Sequence, residues 1–207
     1  MTNIICISGQ AGAGKDTAAR ILRTLLSEGD LSADKTLIAH NADLLKYICE
    51  KFFAWNGLKD EAGRDLLQHV GTDVVRAKDP DFWVNFLVDI LRLFPDRWDF
   101  LIVPDTRYPN EIERFKAAGH PIVHIHIERP GLVSALTQEQ REHSSETALA
   151  DTVPDVIVCN DGEVADLPAK LIERLPQIIM TLHRRATIHN EGEPNADNGT
   201  ESEQAKT

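Results

Sequence analysis

The segment Ile4–Thr17 has the sequence Ile-Ile-Cys-Ile-Ser-Gly-Gln-Ala-Gly-Ala-Gly-Lys-Asp-Thr. Its first part, Ile4–Ser8, is a short apolar run rich in β-branched residues, which predicts a buried strand. Lys15–Leu26 then carries apolar residues at helical spacing. Between them, Gly9–Lys15 matches G-x-x-x-x-G-K, the pattern of a phosphate-binding loop (P-loop). The order of strand, glycine-rich loop and helix predicts that phosphates bind here.

This loop would supply the groups that a triphosphate needs. Its backbone N–H groups can turn toward phosphate oxygens, and the following helix adds the partial positive charge of its N-terminus. We expect Lys15 to reach the β- and γ-phosphates. The predicted ATP-binding residues of this segment are Gly9, Ala11, Gly12, Ala13, Gly14, Lys15, Asp16 and Thr17.

Three residues are candidates for the metal side of this site. The position after the P-loop lysine is usually Ser or Thr, but here Asp16 stands there and Thr17 follows. Either side chain could serve Mg²⁺, directly or through water, and the sequence does not choose between them. Asp105 follows the predicted strand Phe100–Val103 after Pro104, at the place where P-loop enzymes keep a second carboxylate. We therefore expect ATP and Mg²⁺ as cofactors.

Predicted strands alternate with predicted helices along the rest of the chain. This pattern favours an α/β fold, with a mostly parallel sheet covered on both faces. One domain would span residues 1–185, and the polar segment 190–207 would be a disordered acidic tail. The further predicted strands are Thr36–Ala39, Phe100–Val103, Ile122–Ile127 and Val156–Val158; the helices are Asp43–Trp55, Glu61–Arg76, Asp81–Leu93, Asn110–Ala118 and Val164–His183.

Basic residues follow two of these strands. Ligands of open α/β sheets bind beyond the carboxyl ends of the strands. Arg107 follows the third strand and would lie near the phosphates. Arg129 follows the fourth strand, and Arg141 lies in a polar segment that could close over the transferring group. An ordinary turn and a solvated surface helix are the alternatives.

Two further strand ends have weaker signals. Asp43 and Lys46 follow the second strand, where Asp43 is equally compatible with a helix cap. Asn160 follows the fifth strand and could bring backbone groups near a nucleotide base, or could belong to a simple turn.

A polar stripe runs along the predicted helix Glu61–Arg76. An arginine fork suits the oxygens of a monophosphate. The residue types alone favour a solvated face instead. The stripe consists of Arg64, Gln68, Thr72 and Arg76, and it lies away from the predicted buried residues Leu67, Val70 and Val74.

His124 and His126 share one face of one predicted strand. Their spacing would suit two metal ligands, but no cysteine or carboxylate cluster accompanies them. We therefore expect packed core histidines rather than a metal site.

The bulk composition limits the function classes. The chain has 207 residues, 42% of them hydrophobic, which suffices for one domain with a core. A net charge of −11 disfavours nucleic acid and membranes as partners and leaves small molecules. The first residues lack the features of a signal peptide, and three cysteines suit a reducing cytoplasm. The oligomeric state is open, with a homodimer as one possibility.

Four segments together resemble the deoxynucleoside monophosphate kinases found in many bacteriophages and some bacteria. The P-loop alone would indicate only a superfamily, whereas Gln-x-x-Gly-Thr-x-x-x-Arg and Asp-x-Arg-Tyr-Pro-Asn-Glu are more specific. The resemblance runs in order from about Ile4 to His183. The segments are Gly9–Thr17, Arg64–Arg76 with Asp81–Asn85, Asp105–Glu111, and His143–Glu146.

The resemblance implies a nucleoside monophosphate kinase-like three-layer fold of the P-loop NTPase type, with a five-stranded parallel sheet. It also implies a helical acceptor-binding insertion at about 41–95, a lid at about 129–150, and a setting in a bacterial or phage-infected cell. The implied catalytic residues are Lys15, Arg107, Arg129 and Arg141. The implied acceptor-binding residues are Asp43, Lys46, Arg64, Gln68, Thr72, Arg76, Trp83 and Arg107.

Two other readings use the same donor loop. A phosphomevalonate or dephospho-coenzyme A kinase would need a similar arginine clamp, so only the family segments argue against it. A regulatory protein that binds ATP without transferring phosphate is the second alternative. The lid arginines and the helical insertion argue against that reading.

Overall fold

A computed structural model describes residues 1–28, 35–134, 136–162 and 166–191. These residues form one five-stranded sheet in the order β2-β3-β1-β4-β5, and all four neighbouring pairs are parallel. The prediction of a five-stranded parallel sheet is confirmed. The strands are β1 (Asn3–Ser8), β2 (Thr36–Ile38), β3 (Phe100–Val103), β4 (Ile122–Glu128) and β5 (Val156–Cys159).

Helices cover the sheet and build an insertion beside it. A π-helix, His69–Arg76, continues directly from the third α-helix. The α-helices are α1 (Lys15–Glu28), α2 (Asp43–Phe52), α3 (Glu61–Gln68), α4 (Phe82–Leu93), α5 (Pro109–Ala117), α6 (Gln138–Glu142), α7 (Ser144–Thr147) and α8 (Leu167–Glu191).

Alternate side chains of β1 point to opposite faces of the sheet, so the hydrophobic core has two parts. Ile5 and Ile7 pack with residues of α1 and α8, including Leu22 and Leu171. Ile4 and Cys6 point the other way, with residues of α4 and α5. Each fully buried aliphatic side chain of this kind contributes about 1.5–3 kcal/mol. The result is three layers, with helices on both faces of the sheet.

A smaller cluster joins the helical insertion. Leu45 and Cys49 of α2 pack against Val70 of the π-helix and Trp83 of α4. The Trp83 indole N–H donates to the Gly71 carbonyl oxygen at 2.9 Å. This cluster therefore fixes the insertion helices relative to one another.

The helix predicted for Glu61–Arg76 changes type halfway. From His69 onward the turns are wider, and the Ala77 N–H donates to the carbonyl oxygen of Thr72, five residues earlier. The prediction that Val74 belongs to the buried stripe is wrong, because its side chain is 36% exposed. The wider turn moves the packed position to Val75.

The predicted end of the last helix is also wrong. α8 runs to Glu191, eight residues past His183, and so enters the predicted tail. Pro168 lies in its first turn, where a missing N–H costs nothing. Residues 192–207, and the predicted helix start at Val164, lie outside the described residues.

No helix among the described residues is both long enough and apolar enough to cross a bilayer.

Candidate active site

The loop between β1 and α1 turns tightly at glycines. Gly9, Gly12 and Gly14 have φ values of 140°, 85° and 102°. A Cβ at Gly9 would collide with the carbonyl oxygen of Ile127 on β4, so only glycine fits there. The loop therefore sits against the end of the neighbouring strand.

Lys15 folds back over this loop. Its Nζ donates to the carbonyl oxygens of Gly9 at 2.7 Å and Gln10 at 2.8 Å. Burial lowers the pKa of Lys15 to about 8, and the charge of Arg107 acts in the same direction. An anion at the loop would reverse this cost, because it would pair with the ammonium group.

A cavity of about 370 Å³ lies beside the loop, at the carboxyl ends of the strands. Four parts of the chain enclose it: the P-loop, the helical insertion, the turn after β3 and the segment after β4. Predicted site residues in its wall are Ala11, Gly12, Lys15, Asp16, Lys46, Arg64, Gln68, Thr72, Arg76, Trp83, Asp105 and Arg107.

The polar stripe from Arg64 to Arg76 lines this cavity along its whole length. In an α-helix of 3.6 residues per turn, side chains spaced four residues apart shift gradually around the helix axis. The π-helical turn contains more residues and so reduces this shift. The structure thus brings these side chains to one surface, as the spacing predicts. Their contact with an acceptor stays a prediction.

Arg76 is buried in the wall rather than solvated. Its Nη1 donates to Glu111 Oε1 at 3.3 Å and its Nη2 to Asn110 Oδ1 at 2.8 Å. Its guanidinium carbon lies 3.6 Å from the centre of the Tyr108 ring. Cation–π contact and charged hydrogen bonds therefore hold it in one orientation.

Arg107 is engaged by the segment after β4. Its Nη1 donates to the Ser145 carbonyl oxygen at 2.9 Å and forms an ion pair with Glu146. Gln140 of the same segment is buried, and its Nε2 donates to Asp65 Oδ1 of α3 at 2.7 Å. The segment is thus docked on both the insertion and Arg107.

Asp16 and Asp105 present the oxygen ligands that Mg²⁺ prefers. Asp16 Oδ1 is 2.8 Å from His40 Nε2, and its side chain is 67% exposed at the cavity. The two oxygens of Asp105 accept the N–H groups of Asn41 and Ala42. The described ranges contain no group of three His, Cys, Asp or Glu that could hold a metal alone.

Hydrogen bonds that the His40 ring donates to Asp16, and then to Asp43, raise the pKa of His40 to about 9. His40 is therefore charged at neutral pH and pairs with Asp16, whose pKa the same contact lowers.

Eight predicted site residues are not in the cavity wall: the P-loop residues Gly9, Ala13 and Gly14, and five others. Thr17 accepts a hydrogen bond from Arg20, and Asp43 binds Lys46. Arg129 donates to the Gly12 carbonyl oxygen at 3.2 Å, beside the loop. The fourth of these five others, Arg141, is exposed on α6.

Asn160, the fifth, is buried and donates to the Ala13 carbonyl oxygen at 2.9 Å. Its side chain supports the loop from within the protein, which differs from the expected position near a base.

Sequence reasoning missed several cavity residues. Lys59 and Tyr108 line the cavity, as do His40, Glu111 and Glu146. Within the described part of the chain, the side chains of Arg64 and Lys59 make no hydrogen bond or ion pair. Both cations are therefore available to an anion.

His124 and His126 bond to one hydroxyl group. Ser8 Oγ lies 2.7 Å from His124 Nε2 and 2.9 Å from His126 Nδ1. The first ring is only 4% exposed. The expectation of packed histidines agrees with this placement.

We predict that His124 makes stability depend on pH. Burial lowers the pKa of His124 to about 4, below its ordinary value of 6.5. The unfolded chain therefore binds a proton that the folded chain excludes, and stability falls as pH drops below 6.5. From pH 8 to pH 5 this loss is about 1–2 kcal/mol.

Urea unfolding at both pH values measures this loss. His124→Gln can still form a hydrogen bond with Ser8. From pH 8 to pH 5 this variant should lose about 1–2 kcal/mol less stability than the wild type. His183→Gln, on the exposed side of α8, serves as the control. Equal pH dependence in the wild type and His124→Gln would contradict the prediction.

Together, the parallel sheet, the P-loop and the cation-lined cavity define a three-layer α/β fold of the P-loop type with a candidate phosphate site. The family model described as deoxynucleotide monophosphate kinase matches residues 28–171, well over half of the chain. The chain therefore belongs to the deoxynucleotide monophosphate kinase family. The matched range begins after the P-loop.

Curated relatives agree with this family. The deoxynucleotide monophosphate kinase of Enterobacteria phage T4 is 35% identical over 119 residues, which are 56% of this chain and 46% of that protein. The enzyme of the same name from Escherichia phage RB69 is 30% identical over 110 residues, 52% and 42% of the two chains. The chain thus spans about half the length of the curated relatives it matches.

Solved kinase structures are more distant. Thymidylate kinase from Ehrlichia chaffeensis has a TM-score of 0.47 and 11% identity, covering 84% of this chain and 98% of that one. Mycobacterium tuberculosis APS kinase in complex with AMPPNP and APS has a TM-score of 0.46 and 13% identity, with the same coverage.

Proposed function

We propose that this chain transfers the γ-phosphate of ATP to a deoxynucleoside 5′-monophosphate, forming ADP and a deoxynucleoside diphosphate. One observation carries the proposal: Lys15 of the P-loop and the arginines Arg76 and Arg107 face a single cavity. Family membership supports the choice of acceptor.

On the donor side, Lys15 would leave the carbonyl oxygens of Gly9 and Gln10 and bind the β- and γ-phosphates. The loop N–H groups and the start of α1 would hold the remaining oxygens. Mg²⁺, when bound beside Asp16 and Asp105, would neutralise charge on the phosphates. Because Asp16 is paired with His40, its carboxylate is already turned toward the cavity.

On the acceptor side, Arg76 would grip the monophosphate, with Arg64 and Lys46 nearby. Apolar side chains of the same wall, Leu67 and Trp83, would contact the base and sugar. Phosphoryl transfer requires in-line placement and charge compensation more than covalent help, so we assign no general base.

Arg107 stands between the two sides. A phosphate would compete with Glu146 for its guanidinium, and Arg107 would then stabilise charge in the transition state. Closure of the segment after β4 would exclude water and could bring Arg129 and Arg141 to the phosphates.

The cellular compartment of the proposed reaction follows from its substrates. ATP and deoxynucleotides are small molecules of the cytoplasm, here of a bacterial or phage-infected cell. A net charge of −11 supports an enzyme without nucleic acid or membrane partners. A homodimer stays a prediction.

An ADP-release assay across a panel of acceptors tests the function. The panel contains the four deoxynucleoside monophosphates, their ribose counterparts, phosphomevalonate and dephospho-coenzyme A. We expect turnover with at least one deoxynucleoside monophosphate and at least tenfold less ADP release in water alone. Release that is independent of any acceptor, or that occurs only with a non-nucleotide, would contradict the proposal.

A further inference from the structure

We propose that Glu111 is a positioning residue that holds the Arg76 guanidinium toward the acceptor phosphate and ties it to the turn carrying Arg107. This inference rests on the proposed function, because it assigns Arg76 to the acceptor.

The carboxylate of Glu111 joins two distant parts of the site. Glu111 is the third residue of α5 and is only 4% exposed. Its Oε1 accepts the Nη1–H of Arg76 at 3.3 Å. Its Oε2 accepts the backbone N–H of Arg107 at 2.7 Å and that of Tyr108 at 3.2 Å. One side chain therefore sets the spacing between the π-helix and the turn after β3.

The contacts of Arg76 leave part of its donor set for a ligand. A guanidinium has five N–H donors in a rigid fork. Glu111 and Asn110 take one donor on each terminal nitrogen, and the Tyr108 ring covers one flat face. The remaining N–H donors can serve a ligand, because Arg76 lines the cavity. Fixing the plane in this way lowers the entropy cost of gripping a phosphate.

A purely local role for Glu111 accounts for only one of its two carboxylate oxygens. A Glu or Gln at the third helical position often accepts the N–H of the cap residue, as Glu111 does for Tyr108. That role needs one oxygen and no charge. The bond from Oε1 to Arg76 does nothing for the helix start, so the cap does not explain it.

Burial makes the ionised carboxylate costly at this position. It raises the pKa of Glu111 to about 7, while the backbone N–H groups and Arg76 oppose the shift. Because the folded chain binds this proton more tightly than the unfolded chain, stability is lost as pH rises from 4.5 through about 7, where the buried carboxyl ionises. A neutral amide would avoid that cost, so stability alone does not account for a carboxylate here.

Glu111→Gln separates the two roles. The amide oxygen can still accept from Arg107 and Tyr108, but the NH₂ group would face the Nη1–H of Arg76, donor against donor. At pH 8 we expect the KM for the best deoxynucleoside monophosphate to rise about 10- to 100-fold, as for a lost charged hydrogen bond. The KM for ATP should change less than about twofold, because Glu111 makes no contact with the P-loop.

Glu113→Gln is the matched control, since Glu113 lies on the same helix, exposed and paired with Lys116. A second measurement uses Glu111→Gln in an Arg76→Lys background. If Glu111 acts through Arg76, it should add less than about threefold there. If Glu111→Gln acted through a general effect on packing, its fold-change in the acceptor KM would instead multiply the fold-change caused by Arg76→Lys.

The outcomes separate cleanly. An unchanged acceptor KM, or equal rises in both KM values, would overturn the role of Glu111. If Glu111→Gln does not fold, Glu111→Asp supplies the same comparison, and failure of both would make Glu111 a folding residue and also overturn the proposal. Wild-type protein inactive with every deoxynucleoside monophosphate would instead contradict the proposed function.

Discussion

Lys15→Ala is expected to reduce kcat/KM for ATP by roughly a thousandfold while leaving the fold intact. The variant removes the only side-chain cation of the P-loop that is placed to meet the β- and γ-phosphates, and single groups of this kind are worth about 10²–10⁵ in rate. Folding should tolerate the change, because the hydrogen bonds of Lys15 to the described residues go to carbonyl oxygens of its own loop. Its removal also eliminates a partly buried charge.

ADP release at varied ATP concentrations measures this effect, and thermal unfolding checks the fold. Lys51→Ala is a matched control, because Lys51 is an exposed lysine of α2 outside the cavity. A Lys15→Ala protein with near-normal turnover would remove Lys15 from the mechanism.

Arg76→Lys is expected to raise the KM for the deoxynucleoside monophosphate by about 10- to 100-fold. Lysine keeps the charge but lacks the planar fork, so it cannot bond Glu111 and a phosphate in the same geometry. Alanine is a poorer test at this position, because it would leave the Glu111 carboxylate buried without its partner, at about 3–5 kcal/mol.

The KM for ATP should rise less than about threefold in Arg76→Lys, because the donor loop is untouched. Arg185→Lys controls for the substitution itself, since Arg185 pairs with Asp155 outside the cavity. Equal rises in both KM values would make Arg76 a structural residue.

Local patterns carried most of what the sequence predicted correctly. Ile4–Ser8 forms a strand because five consecutive residues can be buried on the two faces of a sheet. A glycine-rich loop that ends in a lysine between a strand and a helix is typical of phosphate binding. The four-residue spacing from Arg64 to Arg76 predicts one shared helix face, whereas its place at the site follows only from the family resemblance. In each case the signal lies within about a dozen residues.

Contacts between distant segments were beyond such patterns. The bond of Arg76 to Glu111 joins residues 35 positions apart, so a stripe that looked solvated is partly buried. Asn160 is turned into the protein by a carbonyl of the P-loop, which no feature near residue 160 indicates. The exposure of Val74 depends on a π-helix, for which the apolar spacing gives no separate signal.

The π-helix also constrains how the sequence of this chain can vary. Each residue of a regular helix turns the chain by about 100°, so losing one residue between His69 and Arg76 would swing the guanidinium out of reach of Tyr108 and Asn110. A substitution within this turn leaves the register of the other side chains unchanged, whereas an insertion or deletion shifts it. Among homologues, the length of this stretch should therefore be more constant than its sequence.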